Sequence, residues 1–83
     1  MNHGLIERVE HHIGGGRYHN RAFLRLWVVN RGRRCWLDIA ATNYLLKPGR
    51  RVVWREGLVY YERSPLHRLL AFELLAQGKP EPQ

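Results

Sequence analysis

The chain has 83 residues, 45% of them hydrophobic, and carries a formal net charge of +7. This length allows a single core, and no run approaches the roughly 18 apolar residues of a membrane span. The one cysteine, Cys35, excludes an internal disulfide and a thiolate zinc cage within the chain. We therefore expect one compact domain over residues 1–78, a flexible tail over 79–83, a cytoplasmic location and no membrane contact.

Residues 3–13 favour a helix over a strand. Their apolar residues cluster on one side of a helical wheel: Leu5, Ile6, Val9 and Ile13. A strand is the alternative, but regular alternation would place Glu7 and His11 on the apolar face. As a helix, the segment would bring His3 to the side of Glu7 and His11, where two imidazoles and a carboxylate can bind a transition metal. Nothing supplies a fourth ligand, so we predict neither a metal site nor a cofactor.

Residues 23–39 predict a β-hairpin, because two alternating runs flank the Arg31-Gly32 corner. With these two residues as the loop, one face is wholly apolar and consists of Leu24, Leu26, Val28, Cys35, Leu37 and Ile39. The opposite face carries three cross-strand pairs: Arg25 with Asp38, Trp27 with Trp36, and Val29 with Arg34. A three-residue loop suits Arg31 better, but its register would bury Asp38 unpaired, which costs several kcal/mol.

The polar face of this hairpin is the main candidate for binding. Two tryptophans lie among arginines there, and the candidate residues are Arg25, Trp27, Arg31, Arg33, Arg34 and Trp36. Bases of any sequence can stack on aromatic side chains, and arginine adds phosphate contacts. The structural alternative is that Trp27 and Trp36 form a cross-strand pair that is covered by a helix and stabilises the sheet.

Residues 47–50 predict a type II turn, since a proline and a glycine occupy its central positions. A second hairpin follows, with its corner at Glu56-Gly57. Its two-residue register makes these pairs: Arg51 with Glu62 and Trp54 with Val59. Neither face is wholly apolar, so we expect both faces of this hairpin to contact other parts of the protein.

The connection over residues 40–46 permits either a helical turn or a further strand. Around it, the segment Trp36–Ile39 followed by Leu46–Gly49 and Val52 resembles a fragment of the cyclic-dinucleotide-binding β-barrels. In that family a small-residue and glycine motif follows the aspartate, whereas residues 40–43 are Ala, Ala, Thr and Asn here. The resemblance therefore transfers no site residue to this chain.

The last segment predicts a helix, with Ser64 as its cap, Pro65 at its first position and Gly78 just past its end. Apolar residues surround this helix almost completely: Leu66, Leu69, Leu70, Phe72, Leu74 and Leu75. One small sheet covers a single side, so we predict a homodimer whose interface contains Leu69, Phe72 and Leu75. Phe72→Glu would then dissociate the dimer and leave the fold intact.

Together these elements predict an α+β fold, in which two hairpins form a small antiparallel sheet or partial β-barrel with a helix at each end. The charge and the tryptophan–arginine face predict a non-catalytic module that binds RNA, single-stranded or structured, or single-stranded DNA. The alternative is a protein-interaction subunit, accessory or inhibitory, that docks through its apolar C-terminal helix. A small ribonuclease-type toxin is a minor alternative, because no spacing of histidines and tyrosines forces a catalytic pair.

Overall fold

The computed structural model describes residues 2–13, 17–41, 46–63 and 69–80. These residues form six strands: β1 (Asn2–His12), β2 (Phe23–Asn30), β3 (Arg33–Ile39), β4 (Arg51–Arg55), β5 (Leu58–Tyr61) and β6 (Leu70–Gly78). Neighbouring strands are antiparallel and close into a barrel in the order β1-β2-β3-β6-β5-β4. The α+β prediction is therefore wrong, because 66% of the described part of the chain is strand, 6% is helical, and it contains no helix of seven or more residues.

The first hairpin has the predicted two-residue register, with Arg25 opposite Asp38. Arg31 and Gly32 both have a positive φ, 53° and 77°, as a type I′ turn requires. The left-handed conformation of Arg31 costs about 1–2 kcal/mol. This cost is smaller than that of the alternative register, which would move Asp38 to the apolar interior.

The second hairpin and the turn before it are also confirmed. Gly49 has a φ of 86° and the backbone N–H of Arg50 donates to the carbonyl of Lys47 at 3.4 Å, as in a type II turn. In the hairpin itself, Trp54 lies opposite Val59. Its two edges pair with β1 and β6 in the closed barrel. One face is buried in the core, but the other carries exposed Arg51, Arg55 and Leu58, so the expectation that both faces contact other parts of the protein is wrong.

The N-terminal segment is a strand, so the helix prediction is wrong there. A β-bulge between Ile6 and Arg8 takes Glu7 out of the pairing, and Ile6 and Val9 can then both pack against the core despite their odd spacing. Regular alternation would have placed Glu7 on the apolar face. The bulge removes this conflict, and β1 pairs with β2 on one side and with β4 on the other.

The C-terminal segment is also a strand, over Leu70–Gly78, so the apolar helix prediction is wrong. β6 fills the gap between β3 and β5, with Leu74 opposite Ile39 and Phe72 opposite Val59. It pairs with backbone groups of both neighbours that a helix packed on the sheet would leave without partners. A register shift beside Leu74 changes which residues of β6 face inward. This shift breaks the alternation of apolar residues, and the sequence therefore looks helical.

The core fills the interior of the barrel with side chains from all six strands: Ile6, Leu24, Leu26, Val28, Leu37, Ile39, Val52, Trp54, Val59, Tyr61 and Phe72. Ala41 and Leu46, on either side of residues 42–45, also pack in it. Residues 42–45 of the predicted connection, Ser64 and Pro65 of the predicted helix start, and residues 81–83 of the predicted tail lie outside the described residues. Within the described ranges, no helix is long and apolar enough to cross a membrane.

Candidate nucleic-acid interface

Asp38 lies on the outer side of β3 and is nevertheless fully buried. Arg25 donates from Nε to Oδ1 at 2.7 Å and from Nη2 to Oδ2 at 2.9 Å, and the hydroxyl of Tyr18 donates to Oδ2 at 2.5 Å. Two-pronged pairs of this kind are among the stronger hydrogen bonds in proteins. The hydrogen bond to Asp38 also raises the pKa of the Arg25 guanidinium. Arg25, one of the predicted binding residues, thus neutralises a buried carboxylate.

A short turn over Arg17–Asn20 covers this pair. Three consecutive residues of the turn have left-handed φ values between 49° and 64°. The Tyr18 ring meets Phe23 edge-on with ring centroids 4.9 Å apart, and His12 stacks on Phe23 at 4.7 Å. The turn and the end of β1 therefore close the outer surface of the barrel over Phe23, which is only 2% exposed.

We expect the phenol of Tyr18 to resist ionisation, because burial and the hydrogen bond and charge of Asp38 raise the pKa of Tyr18 to about 12. An unfolded tyrosine titrates near pH 10, so this contribution to stability is complete below about pH 10 and is lost as the pH rises through about 12. The free energy of unfolding should fall over this interval, and Tyr18→Phe should reduce the fall. Tyr60→Phe is the matched control, because Tyr60 lies on β5, which is not adjacent to β3. Equal pH profiles for both variants would contradict the assignment.

Trp36 is packed within the fold. The guanidinium carbon of Arg25 lies 4.1 Å from the centroid of its ring. On the neighbouring strand, Gly78 provides the room for the indole, since a Cβ there would fall 2.7 Å from Cε2 of Trp36. The geometry therefore favours the structural interpretation of Trp36, although Arg25 and β6 take the place of the expected covering helix.

Trp27 is half-buried and keeps a place at the surface. The guanidinium carbon of Arg8 lies 4.9 Å from its ring centroid. Its indole Nε1 is buried and has no hydrogen-bond partner among the described residues. The ring borders a shallow concavity that also contains Arg34 and Pro80, so a planar group that enters this concavity would meet the indole.

The predicted arginines around the first turn are exposed, and two further cations join them in the tertiary structure. Arg51 lines one concavity together with Arg31. Lys79, which the sequence assigned to a flexible tail, lies beside Arg33 and Arg34. We refer to these five residues as the cationic end of the barrel: Arg31, Arg33, Arg34, Arg51 and Lys79. Sequence reasoning missed Arg51 and Lys79 because only the closure of the barrel brings β4 and the end of β6 to the first turn.

Adjoining concavities connect the cationic end with two tryptophans. One concavity is lined by Arg33, Arg34 and Lys79 and reaches Trp54. The next is lined by the same three cations, and a third extends from Arg34 to Trp27. Because all three share Arg34, they form one continuous stretch of surface between the two indoles.

Glu7 orients Arg34 within this surface. Arg34 Nε lies 3.0 Å from Oε1 and 3.1 Å from Oε2 of Glu7, which the bulge in β1 places within reach of β3. The pair is exposed, so it contributes less than about 1 kcal/mol to stability. These hydrogen bonds use Nε alone, and the two Nη groups of Arg34 are left to bind an anion.

The other groups of residues considered from the sequence, for metal binding and for catalysis, are not brought together. His3, Glu7 and His11 lie on a strand, where four residues span about 13 Å, and the described residues contain no cluster of three metal-ligating side chains. Tyr18, one of the tyrosines that a catalytic alternative could use, has its hydroxyl engaged with the buried carboxylate of Asp38.

The predicted dimer interface is not a single exposed strip. Phe72 is 6% exposed and belongs to the core, whereas Leu69 is 57% exposed and Leu75 is partly buried. The argument for a homodimer rested on an apolar helix, and this segment is a strand from Leu70 onward. The homodimer therefore stays a prediction that no feature of the described residues supports.

Comparison of the chain with protein-family models, with curated proteins and with solved structures gives no match. A functional assignment must therefore come from the geometry and charge of the barrel itself.

Proposed function

We propose that the protein binds single-stranded RNA or DNA through the cationic end of the barrel and the adjoining surface between Trp54 and Trp27. One observation carries this proposal: five cations from three separate segments of the chain gather at one end of the barrel. Among the described residues that line these concavities, Glu7 is the one carboxylate. A concentration of one sign of charge attracts polyanions and speeds their association.

The chemistry of the cationic end suits phosphate. Four of its five members are arginines, whose planar guanidinium can donate two hydrogen bonds to one phosphate group. Arg31 and Arg33 are exposed, and no hydrogen bond or ion pair within the described residues engages their side chains. Their guanidinium groups are therefore free to meet a ligand without first breaking a contact in the protein.

The surface favours single strands over duplex DNA. A protein commonly reads the major groove with an exposed helix or a two-stranded ribbon. The described residues include no such helix, and the β2–β3 hairpin is paired on both edges within the closed barrel. Unpaired bases can instead stack on indole rings, which contributes about 1–3 kcal/mol per base. Trp27, which is half-buried, lies at one end of this surface and is the indole on which such a base would stack. Trp54 borders the other end, but it is 7% exposed and belongs to the core.

We expect mixed-sequence single-stranded oligonucleotides to quench tryptophan emission in a salt-dependent titration. Replacing Arg31, Arg33 and Arg34 with Gln removes three phosphate-binding charges. The slope of log affinity against log salt should then fall by about 2, since each contact contributes about 0.7 for a single strand. Fluorescence titration at two or more salt concentrations measures both the affinity and the slope.

The matched control removes the same number of charges elsewhere. Arg17, Arg21 and Arg63 are exposed arginines outside the cationic end, and replacing all three with Gln should change the salt slope much less. Equal losses for the two triple variants would mean that net charge alone drives binding. A folded protein that binds no oligonucleotide at low salt would refute the proposal.

The cytoplasm is the proposed location, because a lone cysteine is typical of proteins that do not depend on disulfides. The alternative function, docking of a partner protein through an apolar C-terminal helix, has lost its basis because Leu70–Gly78 form a strand. A basic barrel with a continuous cationic surface is better explained by a nucleic-acid ligand.

A further inference from the structure

One recess at the cationic end has the size and lining of a phosphate-binding pocket. It has a volume of about 280 Å³, which is room for several water molecules or for one phosphate group with part of its sugar. The lining residues that matter are Asn2, Asn30, Arg33, Arg34, Trp54 and Lys79. They come from the beginning of β1, the end of β2, the beginning of β3, from β4, and from the chain just after β6.

We propose that this recess binds the phosphate monoester at the end of a nucleic-acid strand. The inference rests on the proposed function and adds to it the chemical group that the site selects. A terminal monoester carries a charge of about −1.5 to −2 at neutral pH and three strong acceptor oxygens. An internal phosphodiester carries a single negative charge and has two of its oxygens bound to neighbouring sugars.

The charge of the recess matches the monoester better than the diester. Arg33 and Lys79 have no ion-pair partner within the described part of the chain, and Arg34 pairs with Glu7. Three cations and one neighbouring carboxylate therefore give this small space a net charge of +2. A single diester would leave part of this charge unpaired, whereas a dianion takes up most of it.

Glu7 gives the recess a pre-oriented donor. It accepts from Arg34 through Nε alone, at 3.0 and 3.1 Å, and so favours one orientation of the guanidinium while the Nη groups stay available. An arginine held in this way loses less side-chain freedom when it binds an anion. Glu7 is thus a positioning residue for the recess.

The other lining groups, His3 among them, include no carboxylate that would repel an anion. The indole Nε1 of Trp54 donates to Oε1 of Gln77 at 3.1 Å, and the side chain is only 7% exposed, so Trp54 forms part of the wall of the recess. Cys35 also borders the recess, and burial raises the pKa of its thiol, which keeps it uncharged at neutral pH. The side-chain amides of Asn2 and Asn30 can donate to the remaining phosphate or sugar oxygens.

The recess adjoins the neighbouring concavities through the shared Arg34. A strand whose terminal phosphate lies in the recess can therefore run on along this surface toward Trp27. The preference for a terminal phosphate rests on the charge of the recess.

The test compares one oligonucleotide in three forms: with a 5′-phosphate, with a 3′-phosphate and with hydroxyl groups at both ends. One phosphorylated form should bind about tenfold more tightly than the hydroxyl form, the effect expected of one additional charge-assisted contact. Whether the tighter-binding form carries the 5′- or the 3′-phosphate tells which end of the strand enters the recess. Lys79→Gln and Arg33→Gln should abolish this preference, and Arg63→Gln, an exposed arginine outside the recess, should preserve it.

The outcomes separate this inference from the proposed function. Equal binding of all three forms would overturn the terminal-phosphate inference and leave the proposed function standing. A preference that survives both Lys79→Gln and Arg33→Gln would overturn this recess as its site. Absence of binding to every form at low salt, with the protein folded, would overturn both. Binding of a nucleoside monophosphate without binding of any oligonucleotide would likewise refute recognition of a strand end.

Discussion

Replacing Phe72 with Glu is expected to unfold the protein. The Phe72 side chain is 6% exposed and lies in the core opposite Val59. Loss of a buried phenylalanine costs about 3–5 kcal/mol, and an unpaired carboxylate in an apolar interior adds a further penalty. Small domains are stable by only about 5–15 kcal/mol, so the combined loss takes up most or all of this margin. Circular dichroism and thermal unfolding measure the result.

Leu69→Glu is the matched control, because Leu69 was predicted to share an interface with Phe72 but is 57% exposed in the barrel. This variant should fold normally and change stability by no more than about 0.5 kcal/mol. If the predicted helical dimer, with Leu69, Phe72 and Leu75 at its interface, were correct instead, Phe72→Glu would give a folded monomer. If sedimentation showed that the unmodified protein is a dimer and that Phe72→Glu is a folded monomer, the result would support the C-terminal helix and contradict strand β6.

Asp38→Asn is expected to cost about 3–5 kcal/mol, the range for removal of one partner from a buried ion pair. Asp38 is fully buried, and the side chain of Arg25 is 15% exposed, which places the effect toward the lower end of this range. The variant leaves the guanidinium without its counter-charge and weakens the hydrogen bond from Tyr18. Urea unfolding measures the loss.

The exposed pair of Glu7 and Arg34 serves as the control for Asp38. Glu7→Gln should lower the free energy of unfolding by less than about 1 kcal/mol, because water screens that pair. A double-mutant cycle of Asp38→Asn with Arg25→Gln should show strong coupling between the two buried positions. Similar small costs for Asp38→Asn and Glu7→Gln, or additive effects in the cycle, would contradict a buried ion pair at Asp38.

Local sequence determined both hairpins and the turn between them. The register of β2 and β3 follows from alternation on either side of Arg31-Gly32, because a slip by one residue would exchange the apolar and polar faces. The type II turn at residues 47–50 follows from a proline and a glycine at its central positions. In each case, the residues that decide the structure are close neighbours in the chain. Their effect does not depend on the rest of the fold.

The tertiary structure decided the two terminal segments. A strand is stable only beside partners, and the partners of β1 and β6 are formed by residues far away in the chain. In addition, a bulge at Glu7 and a register shift beside Leu74 hide the alternation that would identify these segments as strands. The apolar spacing and the helix-favouring residues of both segments therefore predict helices. In the folded protein, strand pairing in the closed barrel outweighs this local helix propensity.

The candidate site also has some features that the local sequence determined and others that only the tertiary structure determined. Sequence alone determined that Arg31, Arg33 and Arg34 would be exposed around a tight turn, since that turn is a local feature. Only the closed barrel brought Arg51 and Lys79 to them, and only the packing of Tyr18 over Asp38 withdrew Arg25 from the surface. Burial of a charge depends on what lies above it, and here the covering residue is 20 positions away in the chain.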